Sequence, residues 1–376
     1  MVHSKMKIVA LTSMANPYTL ERYSAFASKF ADVSFFLVEL GEKSLVYQWQ
    51  FSKIKTIYPR IILSKKAPEE ESFLKLFYLL KKTLDSLEPD LIVSCGYGVP
   101  GMLQALLWSI FKNIPVILLS ESKEDDAKRN LWQEILKSIL IKLYKSALVG
   151  AECHKKYLIK LGMPKAAIFL GYDVVNNDSF HPDKIKHLPQ PIAQPYFLAI
   201  NRFVPKKNLS FLISSYSQYR QNMGNLAWDL VLCGDGELRP QIERQIADLE
   251  LTKFIHLPSF LQQEELLPYF AHASCFIHAS IQEQWGLVVN EAMAAGLPVL
   301  VSNRCGCFED LVIEGVNGFG FDPGNQEELV QLMVKITSNV VDLAAMGKAS
   351  LEHIQKFSPD YFAEGLMQAV EYALAH

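Results

Sequence analysis

The chain lacks the features that would take it out of the ordinary globular class. None of its apolar runs is long enough to span a bilayer. The opening strand, Lys7 to Leu11, is too short for the core of a signal peptide. An excess of charge of one sign is missing: the net is −3 over 376 residues, which gives no support for a nucleic-acid binder. Cysteine is sparse and scattered, at Cys95, Cys153, Cys233, Cys275, Cys305 and Cys307. Several of these sit in apolar runs, where cysteine acts as a small core side chain. Cys305-x-Cys307 has no second ligand pair, which argues against zinc, and a reducing, cytosolic setting is expected. His3, His154, His181, His256, His272, His278 and His353 have no paired nucleophile or metal spacing and read as surface or core residues. Repeats and low-complexity segments are missing as well.

Apolar bulk is abundant: half the residues are hydrophobic and 20% are charged. A chain of this length holds two domains of ordinary size. Short apolar strands alternate with helical patterns in both halves, which points to parallel sheets covered on both faces. The first half reads strand 8–11, helix 19–30, strand 33–38, strand 90–95, helix 100–111 and strand 114–119. Strands at 147–150 and 167–170 follow, with a helix from Cys153 to Gly162 between them. Pro182, Pro189, Pro191 and Pro195 punctuate the most linker-like stretch. A second α/β pattern starts at Tyr196. The expected domains are 1–181 and 196–357, joined by a linker over 182–195, with a final helix in 358–376 that returns to the first domain.

One stretch of the second half carries chemistry. Ser274 to Ala279 is apolar enough for a central strand, and Glu283-Gln284-Trp285-Gly286 suits a loop feeding a helix. Leu287 to Ala295 holds strong helix formers, with Gly296 as the stop and Pro298 just beyond. A helix N-terminus offers free N–H groups and partial positive charge to an anion. Gly286, without a Cβ, lets an anion approach the N–H groups of Gly286, Leu287 and Val288. Glu291 lies about 7 Å along the axis from Gly286. Carboxylates at Glu283 and Glu291 on either side of an anion site suit the hydroxyls of sugars.

Glu283 and Glu291 form E-x7-E, followed by A-M-A-A-G-x-P-V, and this stretch resembles the signature of family 4 glycosyltransferases. The resemblance implies a GT-B architecture: two Rossmann-like, doubly wound parallel-sheet domains facing a central cleft. It implies a retaining enzyme that moves a sugar from a nucleoside diphosphate sugar to an acceptor hydroxyl. Arg202 and Lys207 match the family's cations in the loop after the strand 196–200, with Lys206 as a neighbour. They would stabilise the departing diphosphate as it gains charge. Gly234, in Gly234-Asp235-Gly236, matches a family loop where backbone approaches the ligand. Phe254 to Phe260 resembles the loop near the nucleobase, with Ser259 where relatives often have Gly. Asn317-Gly318 continues the family pattern and is a turn signal.

The first half departs from the family. Asn16-Pro17-Tyr18 stands where many relatives carry Gly-Gly. Glu121, in Ser120-Glu121-Ser122, is the candidate for the place of a family histidine, to hydrogen-bond the transferred sugar or orient the acceptor. The plainer reading is a polar loop with solvated carboxylates at Glu121, Glu124, Asp125 and Asp126. Glu124-Asp125-Asp126 is not the D-x-D pattern of metal-bound nucleotide sugars, so no metal and no cofactor are expected. Leu131 to Tyr144 is an amphipathic helix with lysines. It reads first as a core helix with solvent-facing lysines, and second as a helix lying on a membrane.

The expected donor-site residues are therefore Arg202, Lys207, Gly234, Glu283, Gly286, Leu287, Val288 and Glu291, with Glu121 added as catalytic. The expected partners are the donor and an acceptor of open identity, with weak peripheral contact to the inner membrane face through the first domain. The alternatives are a GT-B protein that binds nucleotide without turnover, and a GT-B epimerase or phosphorylase.

Overall fold

The computed structural model describes residues 5–43, 55–126 and 130–376. His3 lies outside them. The chain divides into two compact units, Met1–Val175 with Ser358–His376, and Asn176–Phe357.

In the first unit the order is β1 (Lys7–Thr12), α1 (Pro17–Lys29), β2 (Ser34–Glu39), β3 (Arg60–Ile62), α2 (Phe73–Leu87), β4 (Leu91–Cys95), α3 (Pro100–Lys112), β5 (Val116–Ser120), α4 (Leu131–Ile141), β6 (Ser146–Val149), α5 (Glu152–Lys160) and β7 (Ile168–Leu170). Its seven strands are all parallel, in the spatial order 3-2-1-4-5-6-7. β1 shows why. Ile8, Val9, Ala10 and Leu11 are all fully buried, as expected of a strand covered on both faces.

The second unit holds α6 (Asn177–Phe180), α7 (Pro182–Ile185), β8 (Tyr196–Ile200), α8 (Leu209–Met223), β9 (Asp229–Cys233), α9 (Arg239–Asp248), β10 (Ile255–His256), α10 (Gln263–His272), β11 (Cys275–His278), α11 (Leu287–Ala294), β12 (Val299–Ser302), α12 (Phe308–Leu311), β13 (Gly318–Phe321), α13 (Gln326–Thr337) and α14 (Leu343–Ile354). Its six parallel strands run 10-9-8-11-12-13. The last helix, α15 (Pro359–Ala375), belongs to the first unit. It packs on α1, β6 and β7, burying Phe362, Leu366, Ala369 and Val370.

Both sheets reverse direction once, between β1 and β4 and between β8 and β11. Ligands of doubly wound sheets bind beyond the strand ends at such a reversal. In the second unit those ends are the loops 201–208 and 279–286.

Several expectations need correction. The boundary falls after Val175 rather than after 181. The stretch 182–195 is part of the second unit, where α7 packs on α10 and Leu188 O receives His272 Nε2 at 2.8 Å. Proline here ends one short helix and opens the next. β3 and α2 were not anticipated, although Leu76, Leu80 and Leu84 form a buried stripe along α2. α4 presents its apolar side chains outward, against its first reading as a core helix. Among the described residues, no helix is long and apolar enough to cross a membrane.

Candidate functional site

The loop after β8 starts with buried Asn201 and exposed Arg202 and ends in a single helical turn, Pro205–Lys207. It is held against the loop after β9: Phe203 N donates to Asp235 O at 2.8 Å, and Leu238 N to Phe203 O at 3.0 Å. Gly234 makes this possible. Its φ is +133°, and a Cβ there would lie 1.9 Å from Asn201 O. The close approach expected of Gly234 is thus to the protein's own backbone, and it positions the Arg202 loop.

The loop after β11 is tied down from three sides. Ile281 N donates to Lys206 O at 3.0 Å, Gly306 N to Glu283 O at 3.1 Å, and Cys307 N to Trp285 O at 3.3 Å. Buried Trp285 donates its Nε1–H to buried Asn290 Oδ1 at 2.7 Å, which fastens the loop to the helix it feeds. Gly286 caps α11 at φ +110°, a left-handed conformation that disfavours any side chain. Among the described residues, no acceptor meets the N–H groups of Gly286, Leu287 and Val288. They form the free N-terminus expected from the sequence.

The two loops bring Lys207 and Glu283 into direct contact as an ion pair. Lys206 Nζ lies 3.7 Å from the other carboxylate oxygen. Glu283 Oε2 also faces His278 Nε2 at 3.4 Å and Ser280 Oγ at 3.3 Å. Oε2 is therefore crowded with donors, and Oε1 is the oxygen with room for a hydroxyl. Burial alone would raise the Glu283 carboxyl. The His278 hydrogen bond and the Lys207 and Lys206 charges outweigh it and hold the carboxyl well below its usual range. Burial is the leading influence on His278, and with the lysines it lowers the imidazole despite Glu283. His278 is thus a neutral donor to Glu283.

His278 and Ser280 are site residues that the sequence reading missed. His278 looked like a core histidine because it ends a buried strand. Its place three residues after Cys275 at the head of the 279–286 loop was the available signal. Glu291 is where the spacing put it, in α11, but only 4% of it is exposed.

Glu121 belongs to the first unit, just past β5. It faces Asp173, which burial first and the Glu121 charge second push well above the carboxylate range. Arg22 Nη2 lies 3.9 Å from Asp173, donates its Nε–H to Val174 O at 3.1 Å and covers the Tyr172 ring. Desolvation outweighs that distant cation, so the Asp173 carboxyl stays raised despite Arg22. The neighbouring acids are engaged otherwise: Glu124 with Lys160, Asp125 with Lys123, and Asp126 with the Lys123 N–H.

The Asn16-Pro17 departure has a structural reading. Asn16 caps α1 by accepting from Thr19 N at 2.8 Å, with Pro17 in the first turn. Ala15 N already donates to the buried Glu39 carboxylate at 2.9 Å, and Arg60 holds that carboxylate at 2.8 Å. This loop keeps an anion of its own, so its N–H is not offered to a phosphate.

Residues 181–353 match the family model of the glycosyl transferases group 1, nearly the whole second unit. An alpha-monoglucosyldiacylglycerol synthase of Acholeplasma laidlawii is 26% identical over 44% of this chain and 41% of its own length. A sulfoquinovosyl transferase of Arabidopsis thaliana is 24% identical over 94% of this chain and 71% of its own. The chain spans about half the length of the first curated relatives it matches. An Anabaena protein solved with UDP and glucose superposes with a TM-score of 0.75 at 19% identity, over 97% of this chain and 99% of that one. The two Rossmann-like units are those of the GT-B glycosyltransferase fold.

Proposed function

We propose that this chain, whose second unit matches the group 1 glycosyl transferases, is a retaining glycosyltransferase of family 4 with a nucleoside diphosphate sugar as donor. The observation that carries the reading is the Lys206, Lys207 and Glu283 cluster. It lies at the strand reversal of the second unit, where the loop after β8 meets the loop that leads to the free N-terminus of α11.

The bond between the anomeric carbon and the diphosphate oxygen breaks, and its electron pair leaves with the diphosphate. The growing charge is met by Arg202, Lys207 and the N–H groups of Gly286, Leu287 and Val288. The sugar passes through an oxocarbenium-like state. The acceptor oxygen bonds to the same face of the anomeric carbon, and its proton goes to the departing phosphate oxygen. Glu283 Oε1 takes a sugar hydroxyl, and Glu291 the ribose. Protein cations and backbone dipoles do the work of a metal, so none is required. Six free thiols suit a reducing compartment.

The test is thermal unfolding with UDP, GDP, ADP and dTDP in turn. The matching nucleotide at about 100 times its dissociation constant adds about 2.7 kcal/mol of stability. The gain disappears in Arg202→Ala/Lys207→Ala, and sugar release from the matching donor then follows. No shift with any nucleotide would overturn the donor site. A shift without sugar release to any acceptor or water would leave a binding protein that has lost turnover.

A further inference from the structure

The cations that a donor's diphosphate needs are held by one of the protein's own carboxylates. Lys207 is in direct contact with Glu283, and Lys206 Nζ stands 3.7 Å from the same carboxyl group. The contact is shielded from water, with the side chains of Lys207 and Glu283 each 12% exposed. At that depth a charge that loses its partner is strongly unfavourable. The backbone fixes the arrangement. Ile281 N donates to Lys206 O at 3.0 Å, which fastens the loop carrying the lysines to the loop carrying the acid.

A diphosphate bound at the N-terminus of α11 draws Lys206 and Lys207 to its own oxygens. Glu283 then keeps His278 and Ser280, which face Oε2 at 3.4 and 3.3 Å. Both are neutral, so they do not replace two cations. A nucleoside diphosphate without a sugar therefore leaves a buried carboxylate short of donors and beside a second anion, and like charges set together weaken binding. A sugar carried on that diphosphate changes the balance. One of its hydroxyls donates to Oε1, in the place that Lys206 leaves.

We propose that the Lys206, Lys207 and Glu283 cluster is a specificity determinant that favours the sugar-bearing donor over the free nucleoside diphosphate, because the diphosphate displaces a carboxylate that a sugar hydroxyl then satisfies. This rests on the donor site proposed above. It also favours product release: once the sugar has moved to the acceptor, Glu283 reclaims the lysines.

The experiment is titration calorimetry of the full chain with UDP, GDP, ADP and dTDP, and then with the glucose, galactose and N-acetylglucosamine esters of the nucleotide that binds. Wild type should bind at least one ester more tightly than the bare nucleotide. Glu283→Gln removes the competing charge and keeps the shape. It should bind the bare nucleotide roughly tenfold more tightly than wild type and lose the preference for the ester. Glu283→Asp keeps the charge but shortens its reach to Lys207. It should gain affinity for the bare nucleotide by a smaller factor, and it carries the test if the Gln variant does not fold. Glu371→Gln, an exposed acid of α15, makes the same change in net charge and should bind like wild type. Bare-nucleotide affinity that does not rise in either Glu283 variant overturns the exchange and leaves the donor site standing. So does a wild type that prefers none of the esters, or an equal gain in Glu371→Gln. Binding of no nucleotide by wild type or by the Glu283 variants overturns the donor site, and this inference with it.

Discussion

Glu283 is held by more positive groups than one carboxylate needs, and that excess makes its pH behaviour informative. Its folded pKa is depressed, so its contribution is present above the ordinary carboxylate value of about 4.3 and is lost as pH falls below it. His278 is depressed too. Its contribution is complete above the ordinary value of about 6.5 and is lost as pH falls toward the folded value. Melting temperature should therefore fall in two stages on acidification. His278→Gln should flatten the first stage, below about pH 6.5, and keep the second. A wild-type melting curve unchanged between pH 7 and 5 would remove the neutral-histidine account. Glu283→Gln should cost about 1–3 kcal/mol at neutral pH, because Lys206 and Lys207 then face each other without their anion. In a transfer assay it should reduce turnover more than affinity for the bare nucleotide. Equal loss of both would remove the sugar contact at Oε1.

At the scale of elements, the site depends on how one loop is fastened to one helix. The Trp285–Asn290 hydrogen bond is buried at both ends. Trp285→Phe keeps most of the apolar bulk but withdraws the donor, at a cost of about 1–3 kcal/mol. Because the bond sets the start of α11, nucleotide affinity should fall with stability, measurable by calorimetry. Unchanged affinity in a destabilised variant would separate the fastening from the site. Gly286→Ala tests the backbone instead. The nearest atoms to an added Cβ stand at 3.5 Å, an ordinary contact, so any loss, about 1–3 kcal/mol, comes from φ alone. These elements also show what was legible from sequence. β8 was placed at 196–200 and the last helix within 358–376, because a dense apolar run bounded by Pro195 and a Ser358-Pro359 helix start leave little choice. β3 was missed because three residues carry no periodicity. The His278–Glu283 contact was missed because it joins a strand end to a loop, and spacing does not report a turn's path. α4 was legible as amphipathic, but periodicity cannot say which face turns inward.

For the whole molecule, the division into units makes two opposite forecasts about truncation. α15 follows the second unit in sequence but packs into the first. Fully burying side chains such as Phe362, Leu366 and Val370 is worth about 1.5–3 kcal/mol each. Together that rivals the whole stability of a typical domain, about 5–15 kcal/mol. A chain ending at Phe357 should therefore lose the cooperative unfolding of its first unit. The segment Asn176–Phe357 has a complete sheet, its own core and every proposed donor-site residue. Expressed alone, it should unfold cooperatively and keep the nucleotide-dependent gain in stability of the full chain, including its loss in Arg202→Ala/Lys207→Ala. If the isolated segment folds but no longer responds to the nucleotide that stabilises the full chain, residues of the first unit take part in donor binding. The donor would then have to be reassigned to both units.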